Sequence, residues 1–340
     1  MIRQVAFNLS LSFLRESHVA QALPPVQFKQ SRAKLNDALF GHSSRRRNSK
    51  LALSCAALLA LLPATLHPQN FDEIQAEHVV ENLKFADGIV WSRDGFLLFS
   101  DRGADKIYRL DPGAKAKTGR EESGGAEGLA EDAQGRLYVC EARNRQVTRT
   151  DRRGNMELLA DKFEGKKLNS PNDIVVRKDG QVYFTDPAFG SDIDRRELDF
   201  NGIFHLNPKG EMEAVARWKT RPNGIALSHD GKTLYVSDSD RHAVTAFDLD
   251  GRGGAANQRD VITKIRGVPG GIRLDVNGRI YVAAKGLGVY SREGHLEHML
   301  IEGDNTTNCA FGDPDLETLY IESRNTLFKV RLGVKGAVQY

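Results

Sequence analysis

A chain of 340 residues that is 40% apolar, with 8 tyrosines and 16 phenylalanines, holds ample material for a buried core, which excludes a wholly disordered protein. Its formal charge of +3 hides an uneven split: residues 1–64 carry nine Lys/Arg against two Asp/Glu, and the remainder carries 39 against 43. The part expected to fold is therefore slightly acidic, which removes the electrostatic motive for a nucleic-acid partner.

The first element is a leader. "SRRRNSK", ending at Lys50, runs into "LALSCAALLALL" (51–62) and then "PATLHPQ". A basic stretch, a short apolar core and small residues after it describe a secretory signal. Twelve residues fall short of the roughly 20 that span a bilayer, so no stable membrane span is expected. Residues 1–64 are read as a leader lost on export, which places the mature protein in the periplasm or outside the cell. Only Cys140 and Cys309 then remain, each in an apolar run, and both are expected as inert core thiols.

From residue 86 a short phrase recurs six times: "ADGIVW", "AEGLAE", "PNDIVV", "PNGIAL", "PGGIRL" and "TNCAFG". Its second residues are Asp87, Glu127, Asn172, Asn223, Gly270 and Asn308, separated by 40, 45, 51, 47 and 38 residues. Periods of this size with strand-like content indicate a propeller or a similar repeat array. Eight residues on, the first five repeats place Gly95, Gly135, Gly180, Gly231 and Gly278, mostly after Asp or Asn. Asx-Gly between apolar runs marks a tight hairpin. A β-rich run follows each turn: "FLLFSD", "RLYVCE", "QVYFTD", "TLYVSD", "RIYVAA" and "TLYIES". A third strand follows in turn, and a fourth where the spacer permits. The expected fold is all-β: a six-bladed β-propeller over residues 70–340, in one domain. The last repeat runs out of chain, so "EIQAEHVVENL", ahead of the first, is expected to supply its outer strand and cover an open edge.

A propeller gathers equivalent residues around one central channel. The phrase positions would form an inner ring, and the ends of the second strands (Asp101, Glu141, Asp186, Asp238, Ala284 and Ser323) an outer one. Carboxylates with amide oxygens are hard ligands, suited to calcium or magnesium rather than a thiophilic metal. Asp87, Glu127, Asn172 and Asn223 are the candidate metal ligands. A divalent ion there suits hydrolysis of an ester or lactone. The structural alternative is that Asp and Asn open these strands by bonding to local backbone. The outer-ring acids could likewise pair with Arg102, Arg143, Arg241 or Arg324.

The segments "LNSPNDIVVRKDGQVYFTDPAFG", "RPNGIALSHDGKTLYVSDSD" and "TNCAFGDPDLETLYI" resemble those of the gluconolactonase–regucalcin family, which includes luciferin-regenerating enzymes. The resemblance covers all six repeats. It implies a six-bladed propeller with one catalytic divalent ion, calcium first, with Mg²⁺, Mn²⁺ or Zn²⁺ as alternatives. It also implies a small-molecule substrate, a sugar lactone, and a monomer or weak oligomer. By position, Asn172 and Asn223 match the family's amide ligands or substrate contacts. Asn172 and Asn308 are the expected substrate-binding residues, and Glu127 and Asp238 the expected catalytic carboxylates.

Two departures stand out. Asp87-Gly88 stands where the family usually has Glu-Gly, and Pro269-Gly270-Gly271 where it has Pro-Asp-Gly. Repeat five thus lacks the acid that serves the family as ligand and proton-transfer group. Glu127 is the residue expected to replace it. The alternatives are a non-catalytic sugar-binding propeller, and an esterase or organophosphate hydrolase.

Overall fold

This computed structural model describes residues 74–338; the leader, with its apolar segment at 51–62, lies outside them. The described chain is almost entirely β, with a single 3₁₀ turn, Gly190–Asp192, among its elements. The first four repeats each form a four-stranded antiparallel sheet that runs outward from the phrase strand. The phrase strands of these sheets are Ala86–Ser92, Ala126–Glu131, Ile174–Val176 and Pro222–Leu227. Their strands return through the anticipated hairpins. Gly95, Gly135, Gly180, Gly231 and Gly278 all have φ between +67° and +88°. Each also donates its N–H to the carbonyl three residues before it, as Gly95 does to Ser92 at 2.9 Å. Positive φ at these turns is the conformation that glycine adopts without a Cβ penalty.

The last two repeats form one six-stranded sheet. Leu296–Gly312 is a continuous 17-residue strand. Its first half pairs with Ile280–Tyr290 and its second half with Thr318–Ser323. On the outer side, Thr326–Arg331 pairs antiparallel with Glu77–Glu81, with His78 opposite Phe328 and Glu81 opposite Thr326.

Alternation along these strands buries one apolar set against each neighbouring sheet. The six apolar clusters are each shared by consecutive repeats. Tyr138 and Cys140 meet Phe184 and Phe204, and Tyr183 and Ile203 meet Leu234 and Phe247. Leu83, Trp91 and Phe99 of the first repeat pack with Ala310, Tyr320 and Leu327 of the last. Full burial of such side chains contributes roughly 1.5–3 kcal/mol each. The result is a propeller-like arrangement in which the first repeat touches the last. Cys140 and Cys309 are buried and free, and burial pushes the Cys309 thiol up to about 12, so neither is a ready thiolate.

Candidate active site

Strand register decides which residues reach the channel. In the first repeat Ala86 pairs with Asp101 and Gly88 with Ser100, which leaves Asp87 between them as a bulge. Bulges re-aim a side chain away from the ladder. The same irregularity contains Glu127 and Asn223. In the sixth repeat it lies between Thr306 and Asn308, so the residue at the ring position is Thr307. This corrects the expectation for Asn308. That side chain sits one step further on, with its Oδ1 capping the Cys309 N–H at 2.9 Å. A Cβ on Gly271 would meet the same oxygen at 2.0 Å, so the amide is packed against repeat five beneath the ring.

The residue after the ring position is Gly in four repeats, for a steric reason. A Cβ on Gly88 would stand 1.8 Å from the Glu127 carbonyl oxygen, and one on Gly224 would stand 2.3 Å from that of Gly270. Without side chains here the inner strands close on one another. Gly128 N–H donates to Asn172 O at 2.6 Å and Gly271 N–H to Thr307 O at 2.8 Å.

At one mouth of the channel lies a recess of about 460 Å³, partly open to solvent, lined by Asp87, Arg102, Asn172, Asn223, Gly270 and Thr307 among others. Asn172 Nδ2 donates to Glu127 Oε2, and Asn223 Nδ2 donates to Ser239 Oγ at 3.1 Å. Each amide nitrogen is therefore engaged, and neither Oδ1 accepts a hydrogen bond among the described residues. Asp87 likewise accepts none. Burial, then the charges of Glu127, Glu322 and Asp173, hold its carboxyl well above the usual range.

Glu127 stands behind this wall. Its Oε1 lies 2.5 Å from Arg102 Nη1, and Arg102 also reaches Asp192 at 3.6 Å. Arg143 and Arg145 pair elsewhere, with Asp105 at 2.7 Å and with Glu197 at 3.3 Å respectively. Burial raises the Glu127 carboxyl to about 7; Arg102 and the Asn172 amide oppose that rise, and Asp192 and Asp173 add to it.

Two residues missed in the sequence sit deeper. Asp173 accepts from Ile225 N–H at 3.1 Å and lies 3.6 Å from Arg273 Nη1. Arg273 crosses the channel, its Nη2 reaching Ile89 O in the first repeat at 3.4 Å. Beneath it an apolar cavity is lined by Ile89, Ile174, Ile225, Leu274 and Phe311, with Arg273 in its wall. The other is Glu322, fully buried, with both carboxylate oxygens lacking a hydrogen bond.

The outer ring is structural, which corrects the catalytic expectation for Asp238. Its carboxylate accepts from Thr220 Oγ1 at 2.6 Å, Asp240 N–H at 3.1 Å and Arg241 N–H at 3.0 Å, away from the recess. Asp101 and Asp186 act alike: Asp101 accepts from Lys84 and Phe85 N–H, and Asp186 from Asn169 and Ser170 N–H. Glu141 pairs with Arg120 at 2.6 Å. Asp101, Asp186 and Asp238 thus latch the loop that enters their sheet onto its second strand.

The donor set fits a hard divalent cation. Among the described residues no three His, Cys, Asp or Glu side chains make a metal-binding group by themselves, so amide oxygens would have to take part. Two such oxygens are free beside Asp87.

Comparison with known proteins places this geometry in a family. Residues 85–325 match the SMP-30/gluconolactonase/LRE-like region. The gluconolactonase of Zymomonas mobilis is 30% identical, over 76% of this chain and 82% of the relative. Regucalcin of Xenopus laevis is 28% identical, over 74% and 87% respectively. The solved structure of a gluconolactonase of Xanthomonas campestris superposes with a TM-score of 0.70 at 27% identity, over 76% of this chain and 90% of that one. The chain belongs to the SMP-30/gluconolactonase/LRE-like family.

Proposed function

We propose that this chain is a cation-dependent lactonase acting on sugar lactones in the recess of a six-bladed propeller. In this reading the six-stranded sheet is two blades, which divide the strand Leu296–Gly312 between them, and Glu77–Glu81 closes the ring. The observation that carries the function is the pair of unengaged amide oxygens, Asn172 and Asn223, beside Asp87. Family membership adds to it. Asp87, Asn172 and Asn223 would hold the cation, calcium first. Bound there, a divalent ion polarises the lactone carbonyl. Water then adds to the carbonyl carbon as its proton passes to a carboxylate. The ring C–O bond breaks and the proton goes to the departing oxygen, giving the hydroxy acid. Glu127 suits the proton transfer, because a group near pKa 7 both accepts and returns a proton at neutral pH. Arg102 and Asn172 fix its position, and Thr307 completes the recess wall.

The test is a lactone panel with the protein in EDTA and then with Ca²⁺, Mg²⁺, Mn²⁺ or Zn²⁺. Hydrolysis should appear only with a cation. Glu127→Gln should cut kcat at least 100-fold and leave Ca²⁺ binding measurable, whereas Asp87→Ala should abolish both. The burial of Glu127 behind Arg102 favours a second reading, a sugar-binding propeller without turnover. That reading stands if sugars or lactones bind and no cation elicits hydrolysis.

A further inference from the structure

Glu322 breaks a pattern that the other repeats keep. Opposite the residue after the ring position, the second strands carry Ser100, Cys140, Thr185, Ser237, Ala283 and Glu322. Five are small, and two of them tie one repeat to the next. Thr185 Oγ1 donates to Asn223 O and Ser237 Oγ to Gly270 O, each at 2.6 Å. Glu322 is nonetheless fully buried, and neither oxygen accepts a hydrogen bond of ordinary geometry. A fully buried carboxyl with neither oxygen in a hydrogen bond of ordinary geometry is an orphaned polar group, and its retention calls for a ligand.

Its surroundings indicate which ligand. Glu322 stands opposite Asn308 in the ladder, and Thr307 Oγ1 lies 3.4 Å from its backbone carbonyl and 2.8 Å from that of Ala86, which sets Glu322 between the last repeat and the first, beside the strand of Asp87. Of the four carboxylates around the channel, Glu127 is taken by Arg102, and Asp173 by Arg273 and Ile225 N–H. Asp87 and Glu322 remain, and among the described residues neither is in a salt bridge. The adjacent repeat five has no carboxylate at Gly270 or at Ala284. It has no room for one either, because a Cβ on Gly270 would lie 2.5 Å from Thr307 O.

We propose that Glu322, with Asp87, supplies the negative charge that holds the divalent cation of this channel, in place of the side chain absent at Gly270. The inference rests on the cation-dependent reading above. It is tested by calorimetric titration of Ca²⁺ into the EDTA-treated, dialysed full chain, and by melting curves with and without Ca²⁺. The proteins compared are the parent, Glu322→Gln and Glu322→Ser, the serine restoring the residue of repeats one and four. Both variants should bind Ca²⁺ at least tenfold more weakly and lose the rise in Tm that Ca²⁺ gives the parent. Without the cation they should melt at or above the parent, since an orphaned buried carboxyl is gone. Ca²⁺ affinity within twofold of the parent in both variants overturns the proposal, as does a parent that binds no Ca²⁺. A lower cation-free Tm in both also overturns it and makes Glu322 a structural partner of Arg273. The readout is independent of turnover. If Ca²⁺ binds through Glu322 and no lactone is hydrolysed, only the lactonase reading fails; if cation-dependent hydrolysis persists with Ca²⁺ binding unchanged in the variants, only this inference fails.

Discussion

Gly270 shows why a missing acid is not simply a missing side chain. The strands on either side have closed over its place, and the Thr307 carbonyl stands where a Cβ would go. Gly270→Asp is therefore expected to lower stability by roughly 1–3 kcal/mol, as overpacking does. It should add no lactone turnover, which urea unfolding and the lactone assay together check; a stable, more active variant contradicts it. Asp186 gives a pH prediction. Burial raises its carboxyl from 3.8 to about 7 against the pull of two backbone N–H groups. A carboxyl with a raised folded-state pKa binds its proton more tightly when folded, so stability is greatest below about pH 4 and falls as pH rises to about 7. At ~1.4 kcal/mol per unit the loss is on the order of 2–4 kcal/mol. Asp186→Asn should shrink the stability difference between pH 5 and pH 8 in EDTA, and an unchanged difference refutes the assignment. At this scale the sequence showed the ring residues Asp87, Glu127, Asn172 and Asn223, because their phrases align by eye. It misplaced the sixth, since "TTN" offers polar residues at successive positions and only hydrogen-bond register selects Thr307. Glu322 did leave a signal: aligning the six second strands puts one charge in a column of small residues.

Among the elements, Glu77–Glu81 makes a specific expectation. The strand covers the edge of Thr326–Arg331, with the His78 ring edge-on to Phe328 at 4.8 Å and Glu77 paired to Lys329 at 3.0 Å. A chain begun at Leu83 should lose on the order of 3 kcal/mol relative to one begun at Ile74, from several ladder hydrogen bonds at about 1 kcal/mol each. It should also self-associate through the bared edge. Equal melting temperatures and equal light scattering for the two chains would count against it. This pairing was legible, because a four-strand unit short of one strand needs a donor and "EIQAEHVV" has strand character. The joining of the last two sheets was not. "IEGDNTT" reads as a polar turn, yet it runs extended, with Lys285 opposite Asn305. Continuity of a ladder through exposed polar residues leaves no hydrophobic pattern to read.

For the molecule as a whole, the repeat period carried the architecture and the contacts between repeats carried the site. Each apolar cluster joins neighbours, as alternation on both sheet faces demands. The polar contacts across the channel join repeats far apart in the chain, and no local pattern encodes them. Arg273 is the plainest case, since it touches the third repeat at Asp173 and the first at Ile89. Its guanidinium also stands across the channel, between Asp173 and Ile89. The recess above and the apolar cavity below share no lining residue. With Arg273 barring the way through, what enters by the mouth leaves by it, and a turnover in the proposed lactonase would end only when the acid formed has backed out past Arg102 and its neighbours. Product and incoming substrate then compete for one doorway, and a lactone tethered to a larger molecule is admitted only with its tether trailing outward.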